Sequence, residues 1–382
     1  MHKNAFARGA AFVLALTISV GLAACGDNQP VPQHNSQGQV ETESGHIVGE
    51  FAGSGASSQQ SANEAWIAGF QYRHTGARIS YDPAGSGAGV TAFLNGSVIW
   101  AGTDEPLSDD QVEQSKSVCA GSSAFELPVY VTPIALAYNL PQAGLNKPNR
   151  HLNMDPVTIA QIFQGQITRW NDRRLAELNP DVELPDLAIT VIHRSDKSGT
   201  TKSLLKYMEA SAGPAWPYQP GQNWPNDIGQ GAKGTAGLVM TLTQAEGTFG
   251  YADVAQTNGL GTVAVRVGSS YVPATEQTAA AMLEHKVTFK PQGANSLRKV
   301  LDVDYATNKA GTYPILLISY DVVCKAYRND ANGKKADFAK SWLTYLESDS
   351  GQQQSASNAG SVPLSSNIRQ GFAHSVREIG VA

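Results

Sequence analysis

Cysteines and clustered metal ligands are scarce in this sequence. The chain of 382 residues has three cysteines, no CxxC pair and no HExxH motif, and none of its eight histidines lies four residues from another. Nothing in these patterns indicates a zinc centre. A GxSxG elbow and a GxxxxGKS/T loop are absent as well, so the common sequence signatures of serine hydrolases and P-loop NTPases are missing.

Basic residues are also in the minority. The sequence has 28 lysines and arginines against 33 aspartates and glutamates, a net charge of −5 at pH 7. Removing Lys3 and Arg8 with the N-terminal leader described below would leave 26 basic residues and a net charge of −7. No basic face stands out, so the composition does not support a nucleic-acid partner. An anionic ligand would have to be held by local donors against the overall field.

One long apolar run is present, and it lies at the N-terminus. A basic start precedes residues 10–24, which are almost continuously apolar and end in Leu-Ala-Ala before Cys25. The run is too short and too rich in small residues for a stable membrane span. We expect residues 1–24 to be a lipoprotein signal peptide, with Cys25 as the lipid-bearing N-terminus of an extracytoplasmic protein anchored to the cell membrane. A simple cleaved signal peptide with an incidental cysteine is the alternative.

Residues 25–46 are polar and predict a flexible tether, because they cannot bury enough apolar surface to fold. Residues 47–382 have ordinary globular composition, show no internal repeat and are long enough for two lobes. They contain Cys119 and Cys324. An exported protein often joins such an even pair in a disulfide, and two buried thiols are the alternative.

A strand–turn–helix pattern is the most informative internal feature. A strand-like run over residues 187–192 leads through a turn into a helical pattern that starts at residue 201. Hydroxyls and backbone N–H groups at the positive end of a helix dipole form an anion pocket, and an arginine adds a guanidinium suited to oxyanions. The turn residues with this chemistry are Arg194, Ser198, Gly199 and Thr200. Ordinary helix capping is the alternative.

Two similar corners occur earlier in the chain. Residues 53–58 read Gly-Ser-Gly-Ala-Ser-Ser between an extended segment and a helical pattern, and residues 84–89 read Ala-Gly-Ser-Gly-Ala-Gly between a strand-like and a helix-like segment. Glycine lets the backbone approach an anion closely, and serine donates an O–H. Ligands collect at the carboxyl ends of strands in open α/β sheets. Three such corners together predict a site for a tetrahedral oxyanion.

A further apolar run ends in a loop that carries an acidic residue. Residues 98–101 are followed by Gly-Thr-Asp, which places Asp104 after another strand. A carboxylate beside an anion is repulsive unless the ligand carries a proton that the carboxylate accepts. A buried acceptor of this kind discriminates against fully ionised ligands such as sulfate. From the residues alone, a loop or helix-cap role for Asp104 is the alternative.

Two other segments are interpreted as scaffold, and docking of a partner is the alternative for the first. Asp155 and Pro156 predict the N-cap and first residue of a helix that ends near Gly165, and Trp170 is expected in the core. Residues 229–234 match GxGxxG by letters, but they follow Pro-Asn-Asp-Ile rather than a strand. A loop is therefore predicted there instead of a dinucleotide site.

The ordered pieces resemble a known family. They are residues 53–57, 85–89, 102–107 (Gly-Thr-Asp-Glu-Pro-Leu), 163–172 (Phe-Gln-Gly-Gln-Ile-Thr-Arg-Trp-Asn-Asp), 178–180 (Leu-Asn-Pro), 184–185 (Leu-Pro), 194–201 (Arg-Ser-Asp-Lys-Ser-Gly-Thr-Thr) and 313–315 (Tyr-Pro-Ile). In order and spacing they are similar to PstS-type phosphate-binding proteins, the substrate-binding components of bacterial ABC phosphate importers. The similarity runs from Phe51 to about the C-terminus and weakens beyond Tyr251.

The resemblance implies an α/β, two-lobe periplasmic-binding-protein fold of type II, with mixed sheets flanked by helices and a hinge of crossover strands. Lobe 1 would comprise residues 47–132 and 314–382, and lobe 2 residues 133–313. The implied partners are inorganic phosphate and the permease subunits of the importer. No cofactor, metal or catalytic residue is implied.

The resemblance also implies a ligand shell. Its members here would be Ser57, Ser58, Ser86, Asp104, Arg194, Ser198, Gly199 and Thr200. Asp104 would accept the ligand's proton, and Asp196 would pair with Arg194 and orient it. The chain departs from the family at Ser58, where relatives often carry phenylalanine and where only a main-chain N–H would be required.

Three other functions are weighed against this one. A binder of sulfate or molybdate conflicts with an acceptor at Asp104. A lipid-anchored adhesion or signalling protein would not need an intact anion pocket. A phosphatase using Ser86, Ser198 or Asp104 with Arg194 lacks a histidine placed as a base.

Overall fold

The computed structural model describes residues 47–147, 149–292 and 297–380. The predicted signal peptide, Cys25 and the whole tether lie outside these residues. The strands are β1 (Gly49–Gly55), β2 (Ala77–Asp82), β3 (Trp100–Thr103), β4 (Ala124–Tyr138), β5 (His151–Met154), β6 (Thr190–Arg194), β7 (Gln230–Ala232), β8 (Thr248–Asp253), β9 (Gly261–Val267), β10 (Ser270–Pro273), β11 (Val287–Lys290), β12 (Val300–Val303) and β13 (Leu316–Cys324).

Helices flank these strands. They are α1 (Gln60–Arg73), α2 (Ser86–Leu94), α3 (Asp109–Ser115), α4 (Pro156–Phe163), α5 (Arg173–Leu178), α6 (Gly199–Ala212), α7 (Gly234–Gln244), α8 (Glu276–Lys286), α9 (Lys334–Leu346), α10 (Asp349–Ala359), α11 (Ser366–Gln370) and α12 (Ala373–Arg377). Short 3-10 turns cover Ser57–Gln59, Gly213–Ala215 and Val254–Gln256.

In the described part of the chain, eleven strands form one mixed sheet. Its main path runs β2-β1-β3-β13-β4-β8-β6-β7, and β9 joins β4 while pairing with β5 and β10. β1 is parallel to β2 and β3, and β6 is parallel to β7 and β8. β13 and β4 are antiparallel to their neighbours on this path. The two parallel groups therefore lie on opposite sides of an antiparallel centre.

β4 is the strand that joins the two sides. All fifteen of its residues are buried. Its first part, up to Pro133, pairs with β13, and from Ile134 onward it pairs with β8. The sheet therefore continues across the middle of the molecule, although the partner strand changes between two adjacent residues.

Helices α1 and α9 cover the β1 side of the sheet with an aromatic cluster. The ring centroids of Phe70 and Trp342 lie 5.5 Å apart, and those of Trp100 and Phe338 lie 5.4 Å apart. The Trp66 indole N–H donates to the carbonyl of Gly351 at 2.8 Å, which fastens α10 to α1. Burial of such large rings contributes several kcal/mol of the hydrophobic stabilisation.

The scaffold predictions for residues 155–170 are confirmed. Asp155 is the N-cap of α4, its Oδ1 accepts from the Thr158 N–H at 2.8 Å, and Pro156 is the first helical residue. Trp170 is fully buried, and its indole N–H donates to the Gly247 carbonyl at 3.1 Å.

The prediction of a loop at residues 229–234 is wrong in part. Gln230–Ala232 forms β7 and pairs in parallel with β6, and α7 begins at Gly234. Two of the three β7 residues are exposed, so the strand has no hydrophobic pattern of its own. Its extended form comes from pairing with β6, which the local sequence does not reveal.

Cys119 and Cys324 form a disulfide with a Cα–Cα distance of 5.1 Å. It joins the segment that follows α3 to the last residue of β13, across 205 positions of sequence. Of the two possibilities left open by the sequence, the structure contains the bridge.

Candidate functional site

The carboxyl ends of four strands define the candidate site. β1 ends at Gly55 and β3 at Thr103 on one side of the molecule, and β6 ends at Arg194 and β8 at Asp253 on the other. Parallel strands end at the same sheet edge, where backbone groups and helix N-termini are available to a ligand. The three predicted corners follow β1, β2 and β6, and each leads into a helix.

Asp104, directly after β3, is the centre of the polar network. It is buried with 5% of its surface exposed. Its Oδ1 accepts hydrogen bonds from the hydroxyls of Ser58 at 2.7 Å and Ser319 at 2.6 Å. Its Oδ2 accepts longer ones from Ser86 at 3.3 Å and Thr200 at 3.4 Å. One carboxyl group thus gathers hydroxyls from four separate elements of the fold.

Two opposing influences act on the pKa of Asp104. Burial raises it, because desolvation disfavours the ion. Hydrogen bonds from Ser319 and Ser58 and the positive charge of Arg194 oppose this effect, and the net pKa lies above the ordinary value. The ring of O–H donors stabilises the ionised form in which Asp104 acts as a hydrogen-bond acceptor.

The first corner contributes Ser57 and Ser58. Both are almost fully buried and lie in the 3-10 turn that precedes α1. Ser58 joins the network through its side chain, which its position in the family did not require. The Ser57 hydroxyl lies 3.1 Å from the Thr235 hydroxyl and accepts from the Thr235 N–H at 3.2 Å. The first corner therefore touches the start of α7 as well as Asp104.

The second corner contributes Ser86 and depends on a glycine geometry. Gly85 is the N-cap of α2 with φ of 102°, and its N–H donates to the Gly55 carbonyl at 2.8 Å. A Cβ at this residue would lie 2.6 Å from Oδ2 of Asp196. Only glycine accommodates both the positive φ and the close approach. Ser86 is therefore the first residue of α2, four residues earlier than the sequence pattern predicted.

Arg194 is buried and held by Asp196. Its Nε donates to Asp196 Oδ1 at 2.7 Å and its Nη2 contacts Oδ2, so the two groups form a bidentate pair. Burial would raise the pKa of Asp196, but the hydrogen bonds and charge of Arg194 outweigh it, with help from the Gly234 N–H, and the pKa is lowered. The pair fixes the guanidinium plane, and its Nη1 is 3.4 Å from the Thr235 hydroxyl.

Ser198, Gly199 and Thr200 form the N-terminus of α6. Ser198 is its N-cap, and the Ser198 hydroxyl accepts from the Thr201 N–H at 3.1 Å. The first turn of a helix leaves N–H groups without intrahelical acceptors, at the positive end of the dipole. A Cβ on Gly199 would lie 2.3 Å from Cβ of Asp104. The helix start therefore packs directly against the loop that follows β3.

Ion pairs reinforce this contact beside the site. Glu105 is buried, and it pairs with Lys202 at 3.0 Å and with Lys206 at 2.8 Å, both on α6. The two lysines are one helical turn apart and flank the same carboxylate. The negative charge next to Asp104 is thus compensated locally.

The structure brings the eight predicted ligand-shell residues and Asp196 into one region, and it adds members that the sequence did not indicate. Ser319 lies on β13, 215 positions after Asp104, with no glycine-rich corner near it. Thr235 follows Gly234 at a helix start, the same Gly–hydroxyl pattern as at the other corners, and this signal could have identified it. Tyr251 on β8 donates to or accepts from Thr201 at 2.6 Å and accepts from the Arg194 N–H at 3.2 Å.

The described residues contain no group of three or more histidine, cysteine, aspartate or glutamate side chains placed to hold a metal ion. In that same part of the chain, no helix has the length and apolar character of a membrane span. The site consists of hydroxyls, a helix N-terminus, one oriented guanidinium and one acceptor carboxyl. This chemistry fits a tetrahedral oxyanion that carries a proton.

Comparison with known proteins agrees with this geometry. The PBP superfamily domain matches residues 40–350. Phosphate-binding protein PstS 2 of Mycobacterium tuberculosis is 32% identical over 387 residues, covering 98% of this chain and 99% of that protein. The PfluDING periplasmic phosphate-binding protein, solved with phosphate bound, has a TM-score of 0.64 at 18% identity, covering 84% of this chain and 92% of that one. A phosphate-binding protein from Stenotrophomonas maltophilia has a TM-score of 0.62 at 16% identity, covering 85% and 93%.

The fold and the superfamily match define the class as an α/β binding protein with two lobes, which confirms the predicted fold class. Within that class, the chain belongs to the PstS family of phosphate-binding proteins. The family resemblance inferred from the ordered motifs is confirmed. The relatives are named as binding proteins.

Proposed function

We propose that this protein is the inorganic-phosphate receptor of an ABC-type phosphate import system. It binds one phosphate between two lobes and delivers it to the membrane permease. The observation that carries the proposal is Asp104, a buried carboxyl ringed by hydroxyls beside the oriented guanidinium of Arg194. Membership in the PstS family supports the same ligand. The protein acts by binding and release, without a catalytic step.

The proposed ligand shell is drawn from all three corners and the loop after β3. Its members are Ser57, Ser58, Ser86, Asp104, Arg194, Ser198, Gly199 and Thr200. Hydroxyls and the N–H groups at the α6 N-terminus donate to phosphate oxygens, and Arg194 supplies the positive charge. Asp196 acts on the ligand through Arg194, because its bidentate contact holds the guanidinium in one plane.

Asp104 gives this shell its selectivity. Phosphate near neutral pH carries at least one proton, which an ionised carboxylate accepts as a hydrogen bond. Sulfate is fully ionised and would leave Asp104 facing an anion with no proton between them. A buried acceptor that loses its partner costs about 1 to 3 kcal/mol, and more when it is charged.

Ligand binding is proposed to close two lobes, comprising residues 47–132 with 314–382 and residues 133–313. The change of β4 partner at Pro133 and Ile134 supports a boundary there. Contacts of Gly199 with Asp104 and of Ser57 with Thr235 would then join the lobes across the cleft. The ion pairs of Glu105 with α6 would add to the closed form, modestly because both lysines are about one-third exposed.

The proposed location is the outer face of the cell membrane, with lipid on Cys25. The leader sequence supports this location, and membership in the PstS family supports delivery to a permease. Replacement Cys25→Ser in the full chain, followed by cell fractionation, tests the anchor. We expect the variant to leave the membrane fraction, and retention there would contradict lipidation at Cys25.

Calorimetric titration of the chain without its leader, stripped of ligand by unfolding and refolding, tests the function. We expect one-to-one binding of phosphate and no heat with sulfate. The absence of heat with phosphate, from a protein whose folding is verified by circular dichroism, would overturn the proposal. Equal binding of phosphate and sulfate would assign the site to oxyanions in general.

A further inference from the structure

A second carboxyl group lies near the site, and the ligand shell described above does not use it. Asp253 is the last residue of β8 and is 1% exposed. β8 is parallel to β6, so Asp253 at the end of β8 lies at the same sheet edge as Arg194 at the end of β6. Asp253 also pairs with Ile134, the first β4 residue after the change of partner strand. It therefore lies at the base of the cleft, beside the hinge.

The surroundings of Asp253 provide no hydrogen bonds that would stabilise its ionised form. Neither carboxyl oxygen has a hydrogen-bond partner among the described residues. Side chains two residues apart on a strand share a face, so Asp253 lies on the face of Tyr251, which contacts Arg194 and Thr201. An ionised carboxylate that is buried without partners is strongly disfavoured, and such a group retains its proton.

The charged and titratable groups around Asp253 belong to the site and the hinge. They are Asp104 after β3, Arg194 on β6, Tyr130 on β4 and Tyr251 on β8. Burial and, to a smaller extent, the charge of Asp104 raise the pKa of Asp253, Arg194 opposes the shift, and the resulting pKa is about 8. At neutral pH this carboxyl is mostly neutral, so the charges in the cleft are essentially those of Asp104 and the Arg194–Asp196 pair.

We infer that Asp253 sets the upper pH limit of anion binding. While its carboxyl is protonated, the site accepts the anion, and its ionisation places a second negative charge at the base of the cleft and weakens binding. Asp253 acts through the electric field that it adds at the site when it is ionised. This inference rests on the proposed function, because it requires an anionic ligand in the cleft.

Linkage gives the sign and size of the effect. An anion repels ionised Asp253, so the complex binds this proton more tightly than the free protein does. Affinity therefore falls as pH rises through the pKa of the free protein, near 8, by at most about tenfold per pH unit. The ionisation of phosphate itself also changes with pH, but it cancels when two variants are compared at the same pH.

The test is a series of phosphate titrations from about pH 6 to about pH 10, with wild type, Asp253→Asn and Asp181→Asn. Asparagine keeps the shape of the neutral carboxyl and cannot ionise, and Asp181 is exposed and provides a matched control. We expect equal affinities near neutral pH. Above about pH 8, the phosphate affinities of wild type and Asp181→Asn should fall relative to that of Asp253→Asn, by up to about tenfold per pH unit.

Proton uptake on binding provides a second measurement, made with wild type and Asp253→Asn. Titration at about pH 8.5, in buffers of different ionisation enthalpy, should show that wild type takes up more protons with phosphate than Asp253→Asn does, by a fraction of a proton. Identical pH profiles in all three proteins, or equal proton uptake by wild type and Asp253→Asn, would overturn the role of Asp253. Failure of wild type to bind phosphate at any pH would instead overturn the proposed function.

Discussion

Asp104 is the residue whose surroundings are the most specific. Four hydroxyls from Ser58, Ser86, Thr200 and Ser319 converge on one buried carboxyl. A structural aspartate in a loop would commonly cap a helix or face solvent, and this one does neither. Each donor comes from a different part of the chain, so all four hydrogen bonds form only when those parts are in this relative position.

Replacement Asp104→Asn is expected to reduce selectivity for phosphate over sulfate. The amide presents two N–H donors, so it accepts the ligand's proton less well and no longer repels a fully ionised anion. We expect discrimination to fall by about tenfold or more, equivalent to at least 1.4 kcal/mol, as measured by calorimetric titration with each anion. Unchanged selectivity would remove Asp104 from the ligand shell.

Asp321 gives a pH-dependent prediction that is independent of ligand. It is fully buried on β13, and its Oδ2 accepts from the Trp342 indole N–H at 3.0 Å. Burial raises its pKa to about 7, and the hydrogen bonds of Trp342 and Gln59 only partly oppose this. The folded state therefore holds a proton that the unfolded state releases near pH 4, and the associated stability is lost as pH rises toward 7.

We expect Asp321→Asn to become more stable than wild type as pH rises. The difference in free energy of unfolding should grow between about pH 4 and about pH 7, by at most about 1.4 kcal/mol per unit, and then level off. Denaturant titrations at several pH values measure it. Because asparagine retains an acceptor for Trp342, a constant difference across this range would contradict the raised pKa.

At the scale of elements, the site depends on how closely α6 approaches the loop after β3. Gly199 is the first residue of α6 and lies against Asp104, and the ion pairs of Glu105 lie immediately beside this contact. The N-terminus of α6 can lie this close to the loop because the side chain of Gly199 is a single hydrogen atom. At this scale, we expect ligand binding to depend on the distance between the backbone of the α6 N-terminus and the backbone of the loop after β3.

Replacement Gly199→Ala is expected to abolish tight phosphate binding without unfolding the protein. The added Cβ would lie 2.3 Å from Cβ of Asp104, so the helix start and the loop must separate. Separating these buried groups also costs stability, so the unfolding midpoint should fall while the protein remains folded. Gly237→Ala on α7 is the matched control, because a Cβ there meets nothing within 4 Å. Equal affinity in both variants would refute the close contact.

Much of this organisation was predictable from local sequence, and the reasons for the exceptions are physical. Strand–turn–helix corners have short-range signals, as does the Asp155–Pro156 helix start, and both were found. Ser319 was not, because its partner lies 215 positions away and its strand leads into no glycine-rich corner. β7 was missed because its extended form derives from β6. Long-range pairing leaves little trace in a window of neighbouring residues.

At the scale of the whole molecule, the disulfide closes a very long loop. Cys119 and Cys324 are 205 positions apart, and the intervening chain includes β6, β8 and the whole of α6. The bridge restricts the unfolded chain across this span, which in the chain-entropy account stabilises the folded protein by about 2 to 5 kcal/mol. It lies at the far end of β13 from the hinge.

Joint replacement of Cys119 and Cys324 by serine is expected to lower the free energy of unfolding by about 2 to 5 kcal/mol. Phosphate affinity at low temperature should remain within about threefold of wild type, or about 0.65 kcal/mol, because neither cysteine contacts the site. Denaturant titration and calorimetry measure the two quantities. Loss of affinity in a variant that remains folded would show that the bridge also positions the site.

The continuity of β4 limits how the molecule can be divided. A chain cut between Pro133 and Ile134 would leave β13 in the C-terminal fragment, separated from β3 and from the first part of β4, its neighbours in the sheet. Each half would then expose an unpaired strand edge, which is prone to self-association. The two halves are therefore poor modules for exchange between proteins. A graft that recombines this protein with a relative would need to keep β3, β4 and β13 together, because these three strands pair with one another at the centre of the sheet.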